Sequence, residues 1–334
     1  MKACFSVKFP KLSRTAARAC LAAAFLIPLS GGLLARRMMA APTPGSSAAA
    51  LPPANDAVVS RLKQDVAALS RYPSRVPGTP GNMAAAKYVQ QQFQDIGLQK
   101  VHAENFLVTV PVTKSASLDF QGKQWKVAPM YPNHVVPSST PPEGVSGQLI
   151  YAGEGRPNGQ PIKDSIVVLD FNSGMNWFTA GDLGAKAVIF LSTDSSSRGQ
   201  AERKFANVPL EMPRFYAPPE LTAALSSGIK KGATGAQLLG QGTVKSQVQW
   251  QRVQTKNVMG FLPGTDSKIT SKPGNTVIIG SYYDSMSVAP DIAPGAEASA
   301  NFGGFLEVAR YLKAHPLPYN VLFLADGAHH VALA

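Results

Sequence analysis

Acidic and imidazole side chains near the end of the chain have the types and spacing that a metal site requires. Asp284 follows an apolar run typical of a strand, and His329 and His330 follow a second such run. Glu297 lies between the two runs, just before an amphipathic segment. Because ligands gather at the carboxyl ends of strands in open α/β sheets, these side chains are expected at one rim. Carboxylates and imidazoles are the ligands of a zinc site that contains no thiolate.

Each of these residues also has an ordinary structural interpretation. Asp284 can be a turn or capping residue at the end of a strand, and Glu297 can favour the N-terminus of the helix that follows it. His329 and His330 can be surface residues. On spacing alone both interpretations stay open. The other three histidines show no partner pattern and receive no role: His102, His134 and His315.

Other catalytic chemistries find no support in the sequence. Both cysteines, Cys4 and Cys20, lie in the first 41 residues, which excludes disulfides, cysteine-zinc sites and thiol nucleophiles from residues 42–334. The chain has no G-x-S-x-G nucleophile elbow and no G-x-x-x-x-G-K-S/T phosphate loop. Gly153-Glu154-Gly155 lacks the third glycine of a dinucleotide fingerprint. Zinc chemistry is therefore the hypothesis that the residues favour most.

The positive charge of the chain is concentrated at its N-terminus. The formal net charge is +12, and residues 1–41 contribute seven positive charges without an acid, which leaves +5 for the remainder. A residual charge of this size promotes solubility and does not form a polyanion-binding surface. Aromatic and basic residues also do not interleave as they do in proteins that bind single strands. The sequence therefore predicts no nucleic acid partner.

The first 41 residues are typical of an export signal. Basic residues up to Arg18 precede an apolar run, Ala19–Ala35, and small residues follow at Ala40-Ala41. Arg36-Arg37 directly after the run is also compatible with an N-terminal membrane anchor. Residues 42–54, rich in Pro, Ser and Ala, are predicted to be a linker. We expect the protein to be periplasmic, extracellular or anchored to the membrane.

The elements that must position the acidic and imidazole residues show an α/β pattern. Helical spacing of apolar residues predicts a helix after Asn55 and a second from about Met83 to Ile96, which ends at Gly97. Strand, helix, strand with continuous apolar runs predicts buried strands in a parallel sheet. The predicted elements are strands at Asn257–Leu262, Thr276–Tyr283 and Asn320–Ala325, and a helix at Ser299–Lys313.

The residue pattern changes in the middle of the chain. The length of 334 residues is consistent with about two domains. A strand-like stretch, Asn105–Val112, leads into residues 117–250, where short apolar runs alternate with Gly and Pro. A short helix is predicted from about Trp177 to Leu183. The clearest predicted strands are Gln148–Ala152, Ser165–Phe171 and Ala187–Leu191.

Five short motifs follow one another in a fixed order. They are S-R-V-P-G-T-P-G-N at 74–82, N-V-M-G-F-L-P-G at 257–264, I-G-S-Y-Y-D-S at 279–285, A-P-G-A-E at 293–297 and V-L-F-L-A-D-G at 321–327. In type and order they resemble the zinc exopeptidases of metallopeptidase family twenty-eight, which includes bacterial aminopeptidases. Residues 117–250 look like the protease-associated domain that this family often carries beside its active site.

The resemblance implies an architecture and a chemistry. Residues 55–116 and 251–334 are expected to form an incomplete α/β domain with a partial parallel or mixed sheet and flanking helices, and residues 117–250 a β-rich insertion. In the family, paired zinc ions polarise the scissile carbonyl and activate water, and an acidic group holds the free amine of the substrate. The implied function is that of an exported zinc-dependent aminopeptidase-like hydrolase acting on peptides.

The chain departs from the family at the positions to which the resemblance assigns chemistry. The first histidine ligand falls at Tyr282, and a neutral phenol is a poor zinc ligand. The bridging aspartate falls at Glu297, which keeps a carboxylate, and the neighbouring glutamate ligand falls at His329. The general base falls at Ala328, which cannot move a proton. Glu297 and His329 therefore remain as metal ligands, with Asp284 as an outer group behind them.

These departures predict a catalytically impaired protein. A catalytic zinc ion has three protein ligands and a water molecule, and two ligands without a base do not meet that requirement. The alternative to an impaired hydrolase is a non-catalytic envelope module that uses the peptidase-like fold to bind peptides or proteins. Because the chain stops after its last predicted strand, Asn320–Ala325, we also expect either a truncated version of a longer protein or an envelope partner that covers this exposed apolar edge.

Overall fold

A mixed sheet of ten strands organises the computed structural model of the chain, which describes residues 55–156, 160–272 and 274–332. The predicted export signal, 1–41, and linker, 42–54, lie outside the described residues. Two long strands, β1 (Gln99–Phe120) and β8 (Gln237–Leu262), pair antiparallel along most of their length. The strand predicted at Asn105–Val112 is thus the middle of a longer one. In the described part of the chain, no helix is long and apolar enough to cross a membrane.

The remaining elements are numbered in chain order. The helices are α1 Asp56–Ser70, α2 Pro80–Ile96, α3 Trp177–Asp182, α4 Arg198–Glu202, α5 Pro219–Ser226, α6 Ser267–Thr270, α7 Ala296–Ala314 and α8 His329–Ala332. The other strands are β2 Lys123–Lys126, β3 Ala128–Pro129, β4 Val145–Tyr151, β5 Ile166–Asp170, β6 Ala187–Leu191, β7 Arg214–Ala217, β9 Thr276–Tyr282 and β10 Asn320–Asp326.

Local sequence signals explain where the first two helices begin and end. The side chain of Asn55 accepts a hydrogen bond from the backbone N–H of Ala57 at 3.0 Å, which caps α1. Thr79 caps α2 in the same way, and Pro80 occupies the first turn, where its missing N–H has no cost. The helix therefore begins three residues before the predicted Met83. It ends as predicted at Gly97, whose φ of 81° is left-handed.

Three helices cover one face of the C-terminal end of the sheet. α1, α2 and α7 pack on buried side chains of β8 and β10. The centre of this core is aromatic: the Phe93 ring lies 6.0 Å from that of Phe305 and 6.4 Å from that of Phe323, in tilted and edge-on contacts. β10 runs antiparallel to β8 and parallel to β9. The predicted α/β class and mixed sheet with flanking helices are confirmed.

The exposed edge of the sheet is β9 and not β10. β10 lies between β8 and β9, whereas β9 pairs only with β10 among the described strands. In β9, Val277 and Ile278 are 43% and 62% exposed. The prediction that Thr276–Tyr283 is buried, and the prediction that Asn320–Ala325 is the exposed edge, are therefore both wrong. An apolar run indicates a strand, but the strand order depends on where the chain crosses over, and composition does not reveal that.

The middle of the chain builds the other end of the same sheet. β4, β5, β6 and β7 are parallel to one another, β4 pairs antiparallel with β8, and α3, α4 and α5 connect or follow these strands. One hydrophobic cluster contains Trp177 and Phe190, and a second contains Leu149 and Phe215. The predicted insertion limits, 117 and 250, fall inside the long strands β1 and β8. The division into two domains stays a prediction.

Two buried cations in the middle of the chain, Lys204 and Arg214, have no carboxylate partner among the described residues. The Lys204 ammonium donates to the carbonyl of Gly174 at 2.7 Å and lies 5.4 Å from the ring centre of Phe171. The Arg214 guanidinium lies 4.5 Å from the ring centre of Trp177 and donates to the carbonyl of Lys204. Burial lowers the pKa of Lys204 to about 8 and that of Arg214 to about 9. These contacts hold the chain at Lys204, just after α4, in a fixed position.

We expect Lys204→Met to change how stability depends on pH. The pKa of Lys204 is about 8 in the folded chain and 10.5 in the unfolded chain, so between these values the unfolded chain binds more protons. The wild type therefore gains stability over this interval, whereas the variant lacks that gain. Denaturant unfolding at pH 7.5 and pH 10 measures the change in the free energy of unfolding for each protein. The wild type should gain a few kcal/mol at most relative to the variant. Lys231→Met, at an exposed position, is the control, and a wild type whose pH profile matched that of Lys204→Met would contradict the account.

Candidate functional site

A cleft of about 370 Å³ lies where the end of β9, the start of α7 and helix α4 meet. Tyr282, Glu297 and His330, from the C-terminal part of the chain, line it together with Arg198 and Phe205, from the middle of the chain. The predicted rim of acidic and imidazole residues is thus partly assembled at one place.

Arg75 fixes the segments that surround this cleft. Its guanidinium is fully buried and donates to the carbonyls of Tyr283 at 2.8 Å, Leu69 at 3.0 Å and Gly295 at 3.2 Å, and also to that of Pro294. These carbonyls belong to the end of α1, the residue after β9 and the turn before α7. Because buried carbonyls need donors, the single side chain holds three separate segments in register.

A second buried network, around Asn82, fixes the end of β10. The Asn82 side-chain amide donates to the carbonyls of Arg75 at 3.2 Å and Gly327 at 3.0 Å, and accepts from the Thr255 hydroxyl at 2.9 Å. A Cβ on Gly327 would lie 2.7 Å from the Thr255 hydroxyl oxygen and would overlap the Tyr283 hydroxyl, so only glycine fits. Sequence reasoning recognised these motifs but missed their positioning roles. The available signal was a cation in a segment rich in Pro and Gly and an amide in the first turn of the helix that follows it.

Asp284 lies behind the cleft as a buried capping group. Its Oδ2 accepts from the backbone N–H of His330 at 3.1 Å, while its Oδ1 is buried without a partner among the described residues. Burial raises the pKa of Asp284 to about 7, and the His330 hydrogen bond and the charge of Arg75 oppose this shift. The polar contact of Asp284 is with backbone, and its predicted position behind metal ligands stays a prediction.

Tyr282, His329 and His330 form an aromatic cluster at the end of β9. The Tyr282 and His329 rings stack with centroids 4.3 Å apart and planes inclined by 6°. The His330 ring meets the Tyr282 ring edge-on at 4.9 Å. Burial lowers the pKa of His330, and the neighbouring His329 adds to this effect. The position that the resemblance assigns to a metal ligand is therefore occupied by ring packing.

The donor set does not fit a catalytic zinc ion. Among the described residues, no group of three His, Cys, Asp or Glu side chains is arranged to hold a metal. The Glu297 side chain is 76% exposed and lies 3.7 Å from the Arg198 guanidinium. Ala328, to which the resemblance assigns the position of the general base, is fully buried. The predicted ligand pair of Glu297 and His329 gains no third ligand here and stays a prediction.

Solved structures share the fold of this chain. A zinc aminopeptidase from Bacillus subtilis, BSAP, is similar with a TM-score of 0.54 and 18% identity, over 80% of this chain and 60% of that one. A peptidase precursor of family twenty-eight from Shewanella amazonensis is similar with a TM-score of 0.50 and 14% identity, over 83% of this chain and 68% of that one. No family model and no curated protein matches the sequence. The chain has a zinc-aminopeptidase-like fold and spans about 60% of the length of the Bacillus enzyme.

We expect Arg75→Met to destabilise the chain by about 3 kcal/mol or more, because it leaves several buried carbonyls without donors and removes the charge that faces Asp284. Urea denaturation measures the effect. Arg71→Met removes an exposed guanidinium from the same loop and should cost less than about 1 kcal/mol. Similar costs for both variants would contradict the anchoring role.

We expect Asp284→Asn to abolish a loss of stability that the wild type shows as pH rises. The pKa of Asp284 is about 7 in the folded chain and 3.8 in the unfolded chain, so between these values the folded chain binds more protons. The wild type therefore loses stability as pH rises through this interval, and the neutral variant does not. Denaturant unfolding at pH 4.5 and pH 7.5 measures the effect. The free energy of unfolding of the variant, relative to that of the wild type, should be higher at pH 7.5 than at pH 4.5. Asp182→Asn, at an exposed position, should show no such gain.

Proposed function

From a fold shared with zinc aminopeptidases, we propose that this chain belongs to an exported peptidase-like protein that binds peptides in the cleft and is impaired in hydrolysing them. The observation that carries the proposal is that the residues holding the cleft in shape are present, whereas two of the positions that the resemblance assigns to catalysis do not hold catalytic residue types. The Arg75 and Asn82 networks are complete, whereas Tyr282 stacks on His329 and Ala328 occupies the position of the base.

The lining of the cleft suits the N-terminal part of a peptide. Two carboxylates, Glu202 and Glu297, and one guanidinium, Arg198, line it and leave a net negative charge. Arg198 lies 2.8 Å from Glu202 and 3.7 Å from Glu297. Phe205 and Met286 add apolar surface. A free α-amine beside an apolar side chain complements this combination of charge and surface.

Impaired hydrolysis follows from the groups that remain. Activation of water for attack on a peptide carbonyl needs a base within hydrogen-bond reach and a group that polarises the carbonyl. Ala328 supplies neither, and the described donor set falls short of the ligands of a catalytic zinc ion. Peptide binding needs only the shape and charge of the cleft, which do not depend on these groups.

Zinc-dependent peptide hydrolysis is the second candidate function. The observation that favours it is that Glu297 and His330, a carboxylate and an imidazole, line the same cleft. Imidazole and carboxylate are ordinary zinc ligands, so an additional ligand would complete a site.

Export and an envelope partner are part of the proposal. The basic and apolar pattern of residues 1–41 supports export. The uncharged edge strand β9, with Ile278 facing solvent, supports a partner that covers it.

We expect the full chain to bind Leu-Ala-Ala amide about tenfold more tightly than its N-acetylated form, because only the free amine carries a charge that complements the cleft. Isothermal titration calorimetry measures both affinities, and Glu297→Gln should reduce the preference. Glu143→Gln, at an exposed position outside the cleft, is the matched control.

The same samples test hydrolysis. We expect no release of leucine from Leu-Ala-Ala amide with or without added zinc. Turnover that a chelator abolishes and zinc restores would establish the second candidate, and the absence of any peptide binding would overturn the proposed function.

A further inference from the structure

A second chamber, of about 590 Å³, adjoins the cleft on the other side of Phe205. Phe205 lines both spaces, and α8 borders both through successive residues, with His330 on the cleft and Val331 on the chamber. Phe205 therefore lies at the boundary between the two spaces.

The lining of the chamber is uncharged. Among the described residues that line it, none is Asp, Glu, Lys or Arg, and the ionisable side chains are those of Tyr131 and His134. Trp250 and Val135 are 39% and 60% exposed, so apolar surface faces the open space. The Trp250 indole N–H donates to the carbonyl of Val135 at 2.9 Å, which satisfies its polar edge within the protein. An apolar side chain is the ligand that this surface favours.

The chamber is built from segments that are held in place. The Tyr131 ring meets the Phe205 ring edge-on at 5.5 Å, and the backbone N–H of His134 donates to the carbonyl of Ala206 at 2.9 Å. Arg214 donates to the carbonyl of Tyr131 at 2.8 Å from behind. Arg214 also donates to the carbonyl of Lys204, so it holds the chain beside both Tyr131 and Phe205. A preformed apolar space binds a side chain with little ordering cost.

We propose that this chamber is a second subsite that takes an aromatic or branched aliphatic side chain of the peptide bound in the cleft. The proposal rests on the proposed function. The charges of the two spaces set the direction in which the peptide lies. Its amine end complements Glu202 and Glu297 in the cleft, and a residue further along the peptide enters the uncharged chamber. Because an extended chain advances about 3.3 Å per residue, the third and fourth residues are the positions to test for the side chain that enters the chamber.

Calorimetric titration of the full chain with two pentapeptide amide series tests the subsite. Leu-Ala-X-Ala-Ala and Leu-Ala-Ala-X-Ala are compared with X as Gly or Phe. We expect Phe to tighten binding at least about tenfold in one series, since burial of the ring contributes that much. Trp250→Ala should remove the preference and leave the affinity of the Gly peptide unchanged, and Trp250→Phe should retain it.

A matched control and a second readout locate the effect. Trp125→Ala removes a tryptophan that packs on a different cluster and should keep the preference for Phe. Binding of the Phe peptide should shift tryptophan emission to shorter wavelength in the wild type and not in Trp250→Phe.

The outcomes separate this inference from the proposed function. Peptides that bind with equal affinity for Gly and Phe, or a preference that survives in Trp250→Ala, would overturn the subsite and leave peptide binding in the cleft. N-acetyl-phenylalanine amide binding as tightly as the Phe peptide would mean that the chamber serves a free ligand and would also overturn it. If none of the peptides binds, both proposals fail.

Discussion

The buried guanidinium of Arg75 donates to carbonyls from the end of α1, the residue after β9 and the turn before α7. A buried arginine is tolerated only when its N–H groups are satisfied, so these segments cannot shift independently. Asn82 extends the constraint to Gly327 at the end of β10. The positions of Tyr282, Glu297 and the histidines of α8 all follow from these two side chains, which lie in the loop before α2 and in its first turn.

Two groups of residues surround the cleft. The Arg75 and Asn82 networks hold it in shape, and the second group occupies the positions to which the resemblance assigns chemistry. The two networks are complete, and Asp284 retains a role as the cap of α8 through the His330 N–H. At the positions to which the resemblance assigns metal ligands, the rings of Tyr282 and His329 stack on each other. A cleft with fixed walls suits the peptide binding that we propose, and the uncharged chamber beyond Phe205 extends that surface.

Much of the fold could be predicted because local signals carried it. The caps at Asn55 and Gly97 and the apolar runs placed the helices and the short strands to within a few residues, whereas β1 and β8 extend far beyond their predicted segments. The strand order could not be predicted, because the crossover through α7 places β10 inside the sheet and leaves β9 at its edge. The burial of Lys204 and Arg214 was equally hidden, since their partners are carbonyls and ring faces that lie far apart in the chain. The rim of the site was partly predictable, whereas the ion pair of Glu297 was not.

We propose that this chain keeps a zinc-aminopeptidase-like scaffold without the metal chemistry. Native mass spectrometry of the full chain, purified with equimolar and then excess zinc, is the most direct test. We expect the mass of the metal-free chain under both conditions, with the folded charge-state distribution retained. One or two zinc ions per chain that survive buffer exchange, and that are lost in Glu297→Gln or His330→Ala, would contradict it.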